Sequence, residues 1–382
     1  MKQLEHFYEG LTPLKNLTKL CNADDILYFD IETTGLSRLK NHIYLIGVGH
    51  YCDGGLKIVQ WFADTESEEP IVLKAFYDYS SSFMYLVNYN GKSFDIPFTT
   101  ERMHQYSLEM PTLESVDLYL YTKPLKKILS LCDLTQKSIE QFLDISRQDI
   151  YNGGELIYVY KKYEALYKHN KNNDEITDAF DKLILHNKED VLNMHYLSDI
   201  LYYNDLDSLI PQYDNHIIKK YTDYSGKEKQ EIILLGLHNL IFIPKSFNSF
   251  KNENELSYMI NIGTDKSLKF RIPIVNRTLH YYINNYKDYY YLPNEGMCIL
   301  KSMAGGVLKE NRENAKKENC FVKLTDSFLP IPTGCDINMM SIRTFRADYK
   351  SKQCYIRLDD FDNLSIDDKN ILLSLYYKFF FV

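Results

Sequence analysis

The chain has 382 residues, of which 45% are hydrophobic and 25% are charged, and its net charge at neutral pH is −8. This composition is typical of a globular protein with a sizeable core, and no apolar run is long enough to span a membrane. The acidic balance argues against a protein that coats nucleic acid through bulk electrostatic attraction. The first 200 residues hold 20 Lys and Arg against 30 Asp and Glu, whereas the remainder holds 24 against 22, so the acidic excess lies in the first half.

The N-terminal segment and the cysteines bear on where the protein works. Residues 1–17 carry charges every few positions and lack the apolar stretch of a signal peptide. The seven cysteines are scattered and include no C-x-x-C pair, which favours reduced thiols over disulfides or a zinc site. We therefore expect a cytoplasmic protein without a membrane partner.

The first half of the chain predicts an α/β domain. Three β-rich runs, DDILYFDIE, HIYLIGVGHY and LKIVQWFA, follow one another at short spacing, which predicts antiparallel neighbours in a sheet. The segment EEPIVLKAFYDYSSS has apolar residues at helical spacing, and FMYLVNYNG after it predicts a fourth strand. Beyond residue 113 the pattern is mainly helical, and the domain is predicted to end near residue 204.

The second half of the chain has a different pattern. A junction is predicted at YNDLDSLIPQYDNH, after which short β-like runs alternate with polar loops. One mixed-charge segment, VLKENRENAKKE, predicts a helix. We therefore predict an N-terminal extension over residues 1–24, an α/β domain over 25–204, and a C-terminal α+β domain of unknown fold over 205–382.

Two carboxylates at the end of the first strand are the first candidates for chemistry. Asp30 and Glu32 lie two residues apart in YFDIETTGL, so both side chains project from the same face of the strand. Two like charges on one face repel, and they are tolerated at a solvated strand end or beside a bound cation. The pair taken alone favours the solvated strand end.

Two later motifs add carboxylates and a histidine. Asp95 follows the turn after the fourth strand, in NYNGKSFDIPF, where it also suits the cap of a helix with Pro in its first turn. His186 and Asp190, in HNKEDV, are four residues apart in a helical pattern and therefore share one helix face. Taken singly, these motifs have ordinary structural explanations, a helix cap and a surface ion pair.

The order of these motifs along the chain resembles that of the DEDD exonucleases, which have a ribonuclease H-like fold. The similarity is closest to the YprB-like branch, and it covers about residues 25–200. The matching stretches are DIETTGL, YNGKSFDIPF, DLTQKSIEQFLDISRQDIYNGGE and HNKEDV. The resemblance implies a mixed β-sheet flanked by helices, and it carries nothing onto residues 205–382.

The resemblance also implies a chemistry, the hydrolysis of phosphodiester bonds from the 3′ end of DNA or RNA. Asp30, Glu32, Asp95 and Asp190 would bind two Mg²⁺ or Mn²⁺ ions, which prefer hard oxygen ligands. His186 would be the general base that takes a proton from the attacking water. DEDD exonucleases usually have Tyr four residues or His five residues before the last Asp. A His four residues before it departs from both patterns and leaves the role of His186 open.

Further polar residues in the matching stretches are candidates for substrate binding. They are Thr33, Asn90, Lys92, Ser93 and Arg147. Arg147 and Asp149 either order a loop against the site or contact a phosphate. Asp117 lies where related enzymes often have an Asp near the site, and it equally suits a helix cap.

In the C-terminal domain, the stretch SIRTFRADYKSKQCYIRL mixes five basic residues with three aromatic ones. Such a mixture suits single-stranded nucleic acid, with phosphates on the cations and bases on the rings. An exposed sheet edge protected by Lys and Arg has the same composition, and we favour that explanation.

Two alternatives to an exonuclease stay open at this point. A catalytically inactive ribonuclease H-like core would serve as a nucleic-acid-binding or scaffold module. An endonuclease of the same fold would use the same metal ions and cut internally, since direction depends on whether the groove closes around a 3′ terminus. The choice between DNA and RNA also stays open, because it can depend on a few contacts to the 2′-OH.

Overall fold

The computed structural model describes residues 1–169, 174–223, 225–335 and 342–381. The chain divides into two compact units, the first comprising residues 1–127 with 131–206 and the second residues 128–130 with 207–382. Within the described ranges, no helix combines the length and the apolar character that a membrane crossing requires. All seven cysteines are free thiols.

The first unit contains strands β1 to β6 and helices α1 to α7. The strands are β1 Lys2–Glu9, β2 Ile26–Thr33, β3 Ile43–Cys52, β4 Gly55–Phe62, β5 Tyr85–Asn88 and β6 Glu114–Asp117. The helices are α1 Lys15–Thr18, α2 Glu69–Ser80, α3 Asp95–Gln105, α4 Leu118–Thr122, α5 Gln136–Phe142, α6 Gly153–His169 and α7 Asp174–Leu197.

The six strands form one mixed sheet in the order β1-β4-β3-β2-β5-β6. Strand β3 pairs antiparallel with both β2 and β4, which confirms the prediction that the three are antiparallel neighbours. Short turns suffice to join antiparallel strands, so the short spacing was a sound signal. β5 runs parallel to β2, and β6 runs parallel to β5, with helices α2 and α3 in the two crossovers. The mixed sheet with its flanking helices confirms the predicted ribonuclease H-like α/β architecture.

Strand β1 differs from the prediction that residues 1–24 form an extension outside the domain. It pairs antiparallel with β4 along its whole length, from Lys2 opposite Phe62 to Glu9 opposite Gly55. Its side chains alternate between partly buried and exposed, as expected of an edge strand. The sequence signal is weak because Lys2 and His6 occupy two of the four inward positions.

Helix α7 packs closely against the sheet because two glycines of β3 leave room for it. A methyl group on Gly47 would lie 2.1 Å from Oδ1 of Asn187, and one on Gly49 would lie 3.0 Å from Cγ1 of Val191. Gly47 is also the direct cross-strand partner of Asp30, so the two residues share a sheet face. The middle of α7 is therefore held against the face from which Asp30 projects.

The described part of the second unit contains strands β7 to β16 and helices α8 and α9. The strands are β7 Pro211–Thr222, β8 Glu228–His238, β9 Phe247–Glu253, β10 Leu256–Ile262, β11 Ser267–Tyr282, β12 Tyr289–Leu292, β13 Met297–Leu300, β14 Glu313–Asn314, β15 Phe321–Ile331 and β16 Cys354–Arg357. The helices are α8 Leu358–Asp362 and α9 Ile366–Phe381.

Seven of these strands form one sheet, in which β16-β15-β11-β10-β9 are consecutive neighbours and β8 joins β11 to β7. Strands β12, β13 and β14 form a separate small sheet. The helix predicted over VLKENRENAKKE is wrong, since the segment has only a short 3₁₀ turn, Lys309–Asn311, followed by β14. Its few apolar residues form no stripe that a helix could bury, so packing gives a helix no support there.

Candidate active site

Five residues singled out from the sequence line one cavity of the first unit, about 980 Å³ in volume. They are Asp30, Glu32, Asp95, His186 and Asp190. The first two lie on β2, the third is the first residue of α3, and the last two lie one turn apart on α7. Elements far apart in the chain therefore bring four carboxylates and one imidazole to the same cavity.

Two buried amides orient the carboxylate of Asp30. Asn187 donates a hydrogen bond from Nδ2 to Oδ2 of Asp30 at 2.7 Å, and it accepts one from Nε2 of Gln60 at 2.8 Å. Sequence reasoning missed both residues. The available signals were the glutamine in the otherwise apolar run IVQWF of β4 and the asparagine beside His186 in α7.

The imidazole of His186 lies between two carboxylates on its Nε2 side. Nε2 is 3.4 Å from Oε1 of Glu32 and 3.1 Å from Oδ2 of Asp190. One potential ligand atom from each of these three residues lies within 4.8 Å of the others, a spacing that suits a shared metal ion. The histidine spacing that departs from the DEDD pattern therefore still directs the ring into the carboxylate cluster.

Asp30, Glu32 and Asp95 resist ionisation. Burial, the largest cause, raises the pKa of Glu32 and of Asp95 to about 7 and raises the pKa of Asp30 well above its ordinary value. The charge of Asp190 adds to the rise in each pKa. Bound cations would relieve both causes of these raised pKa values, the loss of hydration on burial and the repulsion between neighbouring carboxylates.

On its other side, His186 is anchored by Asp149. Nδ1 of His186 lies 2.6 Å from Oδ2 of Asp149, which also pairs with Nζ of Lys137 at 2.9 Å. Burial opposes a charged imidazole, but the carboxylates of Asp190 and Glu32 outweigh it and raise the pKa of His186 to about 11. Burial likewise opposes a charged Asp149, yet His186 and Lys137 hold the pKa of that carboxyl well below its usual range.

Arg147 is paired with the last carboxylate of the motif. Its Nη1 donates to Oδ1 of Asp190 at 2.8 Å, Nη2 contacts the same oxygen, and only 8% of its side chain is exposed. Its Nε lies 3.4 Å from Oε2 of Glu140 but makes no hydrogen bond to any residue in the described ranges. The geometry supports the loop-ordering alternative for Arg147, while contact with a substrate phosphate stays a prediction.

The loop that carries Arg147 is tied to α7 by its backbone. Glu189 accepts hydrogen bonds from the N–H groups of Gln148, at 3.0 Å, and of Asp149, at 2.8 Å. The same helix therefore holds the loop through Glu189 and meets its side chains through His186 and Asp190. Sequence reasoning missed Glu189, whose position between two motif residues gave no separate signal.

Asp117 caps a helix, as the sequence allowed, and also holds a turn beside the cavity. It caps α4 by accepting from the backbone N–H of Tyr119 at 3.1 Å. It also accepts from the N–H groups of Asn90, at 2.7 Å, and Lys92, at 3.1 Å. Asn90 has a φ of 62°, in the left-handed region, so this buried carboxylate holds a strained turn beside the cavity.

The predicted substrate-binding residues differ in their access to the cavity. Thr33 and Asn90 line it, and the hydroxyl of Thr33 donates to the carbonyl of Gly35 at 2.9 Å. Lys92 and Ser93 are exposed on the turn before α3. The cavity is also lined by residues that the sequence did not single out, including Tyr89, Phe94, Tyr119, Gln136 and Lys137. Aromatic and amide side chains carry no chemical signature until the fold assembles them.

Residues 27–202 match a family model described as the RNase H superfamily. The match covers most of the first unit, without β1 and α1, and together with the sheet order it assigns that unit a ribonuclease H-like fold. Among curated proteins, no similar sequence was found.

Several solved structures resemble parts of the chain remotely. The family B DNA polymerase from the hyperthermophilic archaeon Pyrobaculum calidifontis has 12% identity and a TM-score of 0.36, with 72% of this chain and 39% of that chain covered. E. coli Exonuclease I in complex with a dT13 oligonucleotide has 10% identity and a TM-score of 0.28, with 56% and 54% covered. Brucella melitensis NrnC with bound Mg²⁺ has 14% identity and a TM-score of 0.24, with 51% and 90% covered. The chain thus spans about half the length of Exonuclease I and less of the polymerase.

Proposed function

We propose that this chain is a YprB-like nuclease of the cytoplasm, a 3′–5′ exonuclease that hydrolyses phosphodiester bonds of DNA or RNA with two Mg²⁺ or Mn²⁺ ions. One observation carries the proposal. Asp30, Glu32, Asp95 and Asp190 converge on a single cavity from three separate elements of a ribonuclease H-like domain. Such a gathering of buried like charges is costly unless cations bind there.

The donor set fits hard divalent cations. Four carboxylates supply oxygen ligands, and Glu32, His186 and Asp190 offer atoms within 4.8 Å of one another. Bound Mg²⁺ or Mn²⁺ would supply Lewis acidity, which favours deprotonation of water and stabilises charge on the departing 3′-oxygen. The protein's own part is to hold Asp30 through Asn187 and Asp190 through Arg147 in a fixed orientation.

His186 is placed to handle a proton. Without metal, Asp190 and Glu32 raise the pKa of His186 to about 11. Bound cations would offset the charge of these two carboxylates and lower that pKa. With Nδ1–H donated to Asp149, the neutral ring would then present the lone pair of Nε2 toward Glu32 and Asp190. A base oriented by a second group behind it is a recurrent arrangement in catalytic sites. This geometry supports the proposal that His186 is the general base, and Asp149 then acts as its positioning residue.

The test uses 5′-labelled single-stranded and duplex oligonucleotides of DNA and of RNA, with Mg²⁺ or Mn²⁺. We expect a ladder that shortens from the 3′ end. Asp30→Asn should lower the rate by roughly 10³-fold or more, the scale expected for loss of a catalytic group. The matched control is Asp78→Asn, the same chemical change at an exposed residue of α2 that pairs with Lys74, and it should leave the rate unchanged.

A circular single strand separates the proposal from an endonuclease of the same fold, because only internal cleavage opens a circle. If neither metal supports cleavage of any linear or circular substrate, the nuclease proposal is overturned. Nucleic-acid binding that survives in both wild type and Asp30→Asn, without cleavage, would then identify the inactive scaffold.

A further inference from the structure

One face of strands β11 and β15 in the second unit carries aromatic and basic side chains. Residues that lie opposite each other in an antiparallel pair share a sheet face, and here His280 pairs with Lys323 and Tyr282 with Phe321. On the other side of β11, Arg346 pairs with His280 through two backbone hydrogen bonds of 2.8 and 3.0 Å. Three neighbouring segments therefore contribute to one surface.

Four rings on this surface are in contact with one another, and we call them the aromatic platform: His280, Tyr282, Phe321 and Tyr349. The ring of Phe321 lies 4.4 Å from that of His280 and 5.6 Å from that of Tyr282, between centroids. Tyr349 lies 5.3 Å from Tyr282 and is 37% exposed. The other three rings are partly exposed.

The aromatic platform is separate from the hydrophobic core of the same strands. Leu279, Phe328, Phe345 and Tyr355 form a buried cluster, and in β11 the core residue Leu279 alternates with residues of the platform. Two of the three aromatic residues in the stretch SIRTFRADYKSKQCYIRL are therefore core residues, not nucleic-acid ligands. Only Tyr349 of that stretch belongs to the platform.

Packing of the core does not require rings on the outer face. Further along the same outer face, the cross-strand pairs are small and polar, Thr278 with Thr325 and Asn276 with Ser327. Polar side chains are usual on the solvated face of an antiparallel sheet. The concentration of rings at one end of that face indicates a contact surface.

The charges beside the rings are mainly positive. Nζ of Lys323 lies over the ring of Phe321 at 5.9 Å from its centroid, and Arg346 is held beside His280 by the backbone pairing. The nearby Asp348 carboxylate accepts hydrogen bonds from the backbone N–H groups of Lys350, at 2.8 Å, and Ser351, at 2.9 Å. Rings for bases with cations for phosphates are the elements of a single-strand binding surface.

We propose that the aromatic platform, with Lys323 and Arg346, binds a short segment of single-stranded nucleic acid. A duplex keeps the faces of its bases stacked and unavailable to protein rings, so the platform selects single strands. The inference assigns a substrate class to the nuclease, and to that extent it rests on the proposed function. Binding requires no cleavage, so the two proposals can fail separately.

The experiment measures fluorescence anisotropy of labelled oligonucleotides with the full chain in EDTA, where divalent ions cannot support cleavage. We expect wild type to bind oligo-dT or oligo-U more tightly than a duplex of the same length. The double variant Tyr282→Ala with Tyr349→Ala should raise Kd for the single strand at least tenfold. Replacing both residues with Phe should leave Kd within a factor of about three, because stacking needs the ring and not the hydroxyl.

The matched control is Tyr221→Ala, which removes a tyrosine that is 41% exposed on β7 of the same unit. It should leave Kd unchanged. An alanine double variant that melts like wild type and binds single strands equally well would overturn the inference. A change in self-association without any change in oligonucleotide binding would assign the surface to a protein contact and also overturn it. Cleavage by wild type, combined with either of these results, would leave the nuclease proposal standing.

Discussion

The buried carboxylate of Glu69 and the carboxylates of the cavity, all in the first unit, have opposite electrostatic surroundings. Glu69, fully buried at the start of α2, is paired with Arg102, whose Nε and Nη2 donate to its two oxygens at 2.8 and 2.5 Å. It also accepts from the N–H of Ile43 at 2.8 Å and from the hydroxyl of Tyr106 at 2.9 Å. Burial alone would raise the pKa of Glu69, but these donors, Arg102 foremost, hold it below its ordinary value.

Two carboxylates of the cavity, Asp30 and Asp95, have far fewer partners. Asp95 accepts from the N–H of Ile31 at 3.3 Å, and Asp30 accepts from Asn187. Burial therefore prevails, and the pKa values of Asp30, Glu32 and Asp95 are raised. The same domain thus neutralises a structural carboxylate fully and leaves these others short of positive charge. Under the proposed function, bound divalent ions would supply the missing positive charge.

The largest effect on stability is expected from breaking the buried ion pair of Glu69 with Arg102. Glu69→Gln leaves the guanidinium of Arg102 buried without its counter-charge, so the free energy of unfolding should fall by about 3–5 kcal/mol. Urea denaturation measures the loss. The double variant Glu69→Gln with Arg102→Met removes both charges and should recover part of it. A loss below about 1 kcal/mol would mean that Glu69 and Arg102 are not a structural pair.

Divalent ions should stabilise the folded protein by binding to the carboxylates of the cavity. With a free Mn²⁺ concentration one hundred times Kd, binding to one site of the folded state stabilises it by about 2.7 kcal/mol. Thermal unfolding in EDTA and in Mn²⁺ should show this as a rise in Tm for wild type and for Asp78→Asn. Asp30→Asn should lose most of the rise. An equal rise in all three proteins would mean that the ions bind elsewhere.

Much of the site follows from the sequence through local geometry. The period of two in a strand puts Asp30 and Glu32 on one face, and the helical repeat puts His186 and Asp190 on one face. The meeting of Asp95 with these residues does not follow from any local period. It came from a resemblance in the order of motifs, which carries information about a fold that spacing alone does not contain.

The contacts that the sequence did not reveal are long-range. Gln60 and Asn187 are 127 residues apart in the sequence. Their hydrogen bond depends on the glycine at position 47, which lets α7 approach the sheet. The pairing of β1 with β4 and the burial of Phe345 likewise depend on partners remote in the chain. Local patterns reveal which residues suit a core or an edge, but not which partner covers them.

A smaller change in stability is expected from removing one repelling charge. Asp95→Asn keeps the acceptor for the N–H of Ile31, so in EDTA at pH 8 the variant should be more stable than wild type by on the order of 1 kcal/mol. Because the pKa of Asp95 is raised in the folded protein, to about 7, the wild type regains this stability as the pH falls from about 7 toward 4. Urea denaturation across this range measures the difference. A variant that is less stable than wild type at pH 8 would contradict the repulsion.

The smallest effect concerns a buried group that avoids charge altogether. His195 lies on α7 nine residues after His186, its Nδ1 is 2.7 Å from the hydroxyl of Tyr51, and burial lowers its pKa to about 4. The unfolded chain therefore binds the proton more readily, and stability is lost as the pH falls from about 6.5 toward 4. Between pH 7 and 6 the contribution of His195 to this loss should be about 0.7 kcal/mol in wild type. It should be absent in His195→Gln, whereas replacing the exposed His104 should preserve it. If the stability of His195→Gln depended on pH as that of wild type does, His195 would take up its proton in the folded protein as readily as in the unfolded chain. Burial alone would then not keep this group neutral, and its cost to stability would have to be offset by pairing, as it is for Glu69.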